Sequence, residues 1–192
     1  MHIRQLLLAA LIVFGFAQDL RAEVTLTFYS HDYATQGSEV LFPHAFVVLS
    51  GTAGDKPVKA SFGFTAVNLS PSLLWEPVAG HIVSENGGYI AGSRRHFSLP
   101  VSDAQYRTVL AIVARWRNRP QPSYDLNAQN CVTFVKEIAV ALRLPASEDK
   151  KFIRSPKEFL EDLRSRSRAV VTAKPDKPSA SVAGVARSAS VP

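Results

Sequence analysis

Apolar and polar residues alternate from Val24 to Tyr29, with Val24, Leu26 and Phe28 on one side, the period of a strand buried on one face. A loop containing Gly37 and Ser38 leads to Leu41–Leu49, a Val/Phe/Leu-rich run bounded by Gly51 that predicts a largely buried strand. Gly54-Asp55-Lys56-Pro57 has turn chemistry, and Val58–Val67 returns as a third strand, so the two runs predict a hairpin. Ser70-Pro71 opens a short helical turn toward Trp75, because proline at the first helical position loses no needed N–H. Two more strands, Gly80–Ser84 and Arg95–Leu99, are predicted on either side of an Asn86-Gly87-Gly88 turn.

The second half of the chain changes period. Ser102 with Gln105 three residues on is a capping-box pair, and Tyr106, Val109, Leu110, Val113 and Trp116 then fall on one helical face until Pro120 and Pro122. A second helix starts near Cys131, with Phe134, Val135, Ile138 and Leu142 on one face and Asn127 or Asn130 as its cap. A third begins at Ser155-Pro156, with Glu158 as capping partner, and fades near Arg168. Strands followed by helices predict an α+β fold: a small antiparallel sheet with helices packed on one face.

Composition trims the possibilities. The 192 residues, 46% hydrophobic, suit one domain with appendages. Leu6–Phe16 is an unbroken apolar run after a basic start at Arg4, which matches a secretory signal over residues 1–22 with cleavage after Ala17 or Ala22; the expected location is the periplasm or the medium. The run is too short for a membrane span, and no transmembrane segment is expected once it is removed. Residues 23–163 hold 14 basic and 14 acidic side chains, so the pI near 9.7 comes from the tail, where residues 164–192 hold six basic residues and only Asp176 as an acid. A basic face for nucleic acid is therefore not expected of the domain. From residue 169 the chain is Ala, Ser, Pro, Lys and Val without a helical period, which predicts a disordered basic tail after a domain over 23–168. The histidines are scattered singly and the one cysteine stands alone, so neither a metal nor a cofactor is implied.

Candidate chemistry centres on Cys131. At the start of a helix the free N–H groups and the dipole favour an anion, the setting that a thiolate nucleophile needs. Cys131 also shares a face with Phe134, Val135 and Ile138, where a thiol can be an inert core residue, so both readings are open. A nucleophile wants an imidazole within reach. Of His31, His44, His81 and His96, His44 is best placed, after Pro43 and at the mouth of the run Ala45-Phe46-Val47-Val48-Leu49.

Tyr124-Asp125-Leu126-Asn127, then Asn130-Cys131-Val132-Thr133-Phe134-Val135, downstream of Pro43-His44-Ala45-Phe46-Val47, resembles the circularly permuted papain-like proteins. These are the permuted branch of the NlpC/P60 superfamily, which includes lecithin:retinol acyltransferase-like proteins; their histidine strand precedes the nucleophile helix, as His44 precedes Cys131. The resemblance spans roughly residues 24–144 in layout. It implies Cys131 as nucleophile, His44 as general base and a third polar residue on the strand after the histidine strand. There only Ser61 and Thr65 carry hydroxyls, and Ser61 is the expected third residue. Tyr124 and Asn127 are expected to line the site, as binding residues or as a packed ring and a helix cap. Thr133 stands where acyltransferase-like members often have a histidine. The implied activity is that of an exported cysteine amidase or peptidase acting through a thioester, with a cell-wall peptide as substrate. A lipid-directed acyltransferase or thioesterase, acting on an acyl substrate, and a non-catalytic binding module remain as alternatives on the same fold.

Overall fold

A computed structural model describes residues 23–169 apart from Tyr33, Gly37 and Ser38; the expected signal segment and nearly all of the expected tail lie outside the described residues. The fold is α+β, with a five-stranded antiparallel sheet and four helices. The strands are β1 (Glu23–His31), β4 (His44–Ala53), β5 (Lys56–Ala66), β6 (Gly80–Val83) and β7 (Arg94–Val101), in the order β6-β5-β4-β1-β7. Two short strands, β2 (Ala34–Gln36) and β3 (Glu39–Leu41), form a separate ribbon between β1 and β4. The helices are α1 (Gly87–Gly92), α2 (Asp103–Arg117), α3 (Cys131–Ala141) and α4 (Pro156–Arg166).

The alternation in β1 fixes which way the sheet faces. Val24, Leu26 and Phe28 are fully buried, and the register that pairs Leu26 with Leu49 and Phe28 with Val47 puts the apolar residues of β4 on the same side. Phe62 and Phe64 follow from β5, because Val47 pairs with Phe62. Helices α2, α3 and α4 cover this side: Phe64 meets the ring of Trp116 edge-on at 4.7 Å, and Trp116 meets Phe134 of α3 at 5.3 Å. Each fully buried Leu or Phe here contributes about 2–3 kcal/mol. Ser102 and Gln105 form the reciprocal capping box expected for α2.

The other side of β1 and β4 presents Tyr29, His31, His44 and Phe46, and α1 covers it through Tyr89, which stacks on His31 at 4.4 Å and tilts against Phe46 at 5.8 Å. Helices thus pack on one face, as expected, except for this single short one.

Several expectations are corrected. The run from Leu41 is broken at Phe42 and Pro43: Leu41 ends the ribbon and β4 begins at His44. Asn86-Gly87-Gly88 does not turn one strand into the next. Asn86 accepts the Tyr89 N–H and so caps α1, and β6 and β7 lie at opposite edges of the sheet. Ser155 makes no side-chain cap on α4, although proline does open it. Among the described residues no helix is long and apolar enough to cross a membrane, and no group of three metal-ligating side chains converges.

Candidate active site

Helix α3 is held at its first turn by a single carboxamide. Asn130 Oδ1 accepts the N–H groups of Val132 (2.9 Å) and Thr133 (3.3 Å), while its Nδ2 donates to the carbonyls of Leu126 (2.8 Å) and Ile153 (2.7 Å). Thr133 Oγ1 completes the box by accepting the Asn130 N–H at 2.8 Å. Asn130, not Asn127, is therefore the cap, and it leaves the Cys131 N–H outside the pair that it satisfies. Asn130 is buried and ties three segments together, so Asn130→Ala is expected to lower unfolding stability by about 2–3 kcal/mol in urea denaturation, above an ordinary cap because the Leu126 and Ile153 carbonyls lose their donor as well.

Cys131 is a free, buried thiol on that first turn. His44, the first residue of β4, is in polar contact with it, and Nε2 of the ring stands 3.4 Å from Glu85 Oε1. His44 and Glu85 side chains are each only 10% exposed, so the imidazole is enclosed between a sulfur and a carboxylate. Burial alone pushes the His44 pKa down. The polar contacts with Cys131 and Glu85, and the charge on each, outweigh burial and raise it from 6.5 to about 9. At neutral pH the proton therefore rests on the ring.

Room for the ring comes from β5. Gly63 pairs with Phe46, and a Cβ at position 63 would sit 2.2 Å from His44 Nε2. The missing side chain lets the imidazole lie over β5 and reach Glu85.

The remaining candidates are distributed as follows. Ser61 is buried on β5, and its hydroxyl donates to the Glu85 main-chain carbonyl at 3.1 Å, so it anchors the segment that carries Glu85. The polar partner placed on the imidazole is Glu85 itself, which lies just after β6 and was not expected. It is the one acid between Glu76 and Asp103, at the end of a strand and before a helix cap, and that isolation was the available signal. Tyr124 lies beside Cys131. Burial, and then the charge on Cys131, raise its phenol pKa, so its O–H stays a donor. Tyr89 is raised likewise by burial, then by Glu85 and Cys131. Asn127 does not line the groove: its N–H is held by Asp125 Oδ1 at 2.7 Å, and its side-chain oxygen accepts from Arg154. Of the other histidines, His31 bonds Ser93 (3.0 Å), His96 bonds Ser30 (2.8 Å), and His81 is exposed on β6.

A groove of about 490 Å³ runs over Cys131, within the usual range of about 300–1,000 Å³ for small-molecule sites. Tyr124, Leu126, Asn130 and Cys131 line it together with Phe42, Pro43, the Leu69–Leu74 segment, and Ile153, Arg154 and Pro156. A free thiol, an imidazole carrying a proton, a carboxylate behind it and a concave site in front are the parts that acyl transfer requires. No family model, no curated protein and no solved structure matches the chain.

Proposed function

We propose that the protein is an exported cysteine hydrolase of permuted papain-like type that cleaves an amide bond through a thioester. The observation that carries this reading is the alignment of Cys131, His44 and Glu85, with Cys131 opening onto the groove. Sulfur attacks the carbonyl carbon as a thiolate while the proton sits on His44. The Cys131 N–H, which the Asn130 cap leaves unused, and the Tyr124 hydroxyl, which lines the same groove, are assigned as donors to the developing oxyanion. His44 gives its proton to the departing amine, and the thioester remains. Water then attacks it, with His44 as base, and the acid leaves. Glu85 keeps Nε2 facing itself, which leaves Nδ1 for the sulfur and favours the imidazolium.

Of the expected substrates, a wall peptide would be met in this groove mainly by apolar side chains, whereas an acyl chain would be matched by them. That favours the acyl substrate among the alternatives.

The test is acylation. Mixed with p-nitrophenyl acetate, the wild-type chain is expected to carry one acetyl group on Cys131 by intact-mass and peptide mapping, and to lose it with time, whereas Cys131→Ala carries none. A thiol that takes up no acetyl until the chain is unfolded would leave a papain-like shell used for binding.

A further inference from the structure

The walls of the groove say more than its floor. Leu69, Leu74 and Phe42 are each about half exposed, and Trp75, at the end of the same segment, is 76% exposed. Surface leucines grouped at the mouth of a concave site are unlike the singly scattered apolar residues of an ordinary surface. Arg154 is the one charged side chain among the described residues that line the groove. Among the described residues its guanidinium meets a neutral partner, the Asn127 side-chain oxygen, and no carboxylate. The site therefore offers apolar walls, a single unneutralised cation and a nucleophile in one concavity.

We propose that this groove takes an N-acyl amino acid: the apolar acyl chain lies along Leu69, Leu74 and Leu126, the amide carbonyl reaches Cys131, and the free carboxylate of the amino acid pairs with Arg154. The assignment rests on the cysteine-hydrolase reading above and names its substrate class. The C–S bond forms at the amide carbon and the C–N bond breaks as His44 protonates nitrogen, releasing the amino acid. Water adds to the thioester, its proton passes to His44, and the fatty acid leaves as the C–S bond breaks. The sum is amide plus water giving acid plus amine, with no redox change and no further co-reactant.

The probes are N-decanoylglycine, N-acetylglycine and N-decanoylglycinamide, with release of the amine followed for the wild-type chain, Leu74→Asp, Leu69→Asp and Arg154→Gln. Burial of even a few of the extra methylenes predicts kcat/KM at least ~30-fold higher for decanoylglycine than for acetylglycine. Leu74→Asp and Leu69→Asp are expected to cut that ratio about tenfold or more; both positions are exposed, so folding is not at stake. Decanoylglycine is expected to exceed its glycinamide about 3- to 10-fold through KM, and Arg154→Gln to remove that difference. Equal rates for the decanoyl and acetyl compounds, or for acid and amide, overturn the assignment, as does faster turnover of a wall-type peptide such as alanyl-glutamate. No turnover of decanoylglycine by a chain that p-nitrophenyl acetate still acylates at Cys131 overturns the groove assignment alone. Absence of that acylation overturns the cysteine-hydrolase reading and this assignment with it.

Discussion

Removing His44 is expected to slow alkylation of Cys131 by iodoacetamide on the order of 100-fold at pH 6, because a protonated imidazole beside a sulfur favours attack by its anionic form. The cause lies in the site's geometry: the ring sits between sulfur and the Glu85 carboxylate, and the charges on both sides keep it protonated up to about pH 9. The advantage of wild type over His44→Ala should thus be largest at low pH and close as pH rises past about 9, where the ring gives up its proton. Glu85→Gln keeps the shape and removes the charge, so an intermediate loss of about tenfold is expected. Ser61→Ala, which removes a hydroxyl bonded to the Glu85 main-chain carbonyl, should stay within about threefold. A Ser61 variant slower than the Glu85 variant would reverse the assignment of the third residue.

The same pair predicts a stability profile. His44 is raised above its unfolded value, so its contribution is complete below about pH 6.5 and disappears as pH climbs through about 9. Between these limits the wild type is expected to lose up to about 3 kcal/mol of unfolding free energy that His44→Gln does not lose. Urea titrations at pH 6 and pH 10 measure the difference. Equal losses in both proteins would mean that the ring is neutral in the fold.

Much of the fold was legible because it rests on local periods. Val24, Leu26 and Phe28 announce a buried face by alternation alone, and the Ser102/Gln105 box marks where α2 begins. The errors fall where a local signal has two solutions. Asn86-Gly87-Gly88 reads as a turn, yet an asparagine before two permissive residues caps a helix equally well, and the order of strands decides between them. The site divides in the same way. Cys131 and His44 carry local marks, a helix start and a strand mouth. Glu85 is marked only as an isolated acid at a strand end, and its nearness to His44 follows from the β5–β6 pairing that brings Val83 beside Gly63. The groove is likewise assembled from residues between positions 42 and 156, and no window of sequence contains it.

Gly63→Ala is the sharpest case of a function held by an absence. A methyl group at this position would lie 2.2 Å from His44 Nε2 and 3.0 Å from Cε1, closer than unbonded carbon and nitrogen can approach. The imidazole must leave, and leaving breaks the contact with Glu85 that keeps it charged. The strand has no reason to object, because alanine suits a strand interior better than glycine by about 0.5–1 kcal/mol. Gly63→Ala is therefore expected to remain folded, with circular dichroism close to wild type and a urea midpoint at pH 6 lowered by no more than in His44→Gln, while its Cys131 alkylation at pH 6 falls to the level of His44→Ala. The double variant should be no slower than either single one, since both changes remove the same interaction. Fast alkylation at low pH in Gly63→Ala would mean that the ring does not depend on its seat over β5. A further drop in the double variant would mean that glycine acts on the sulfur by some other route.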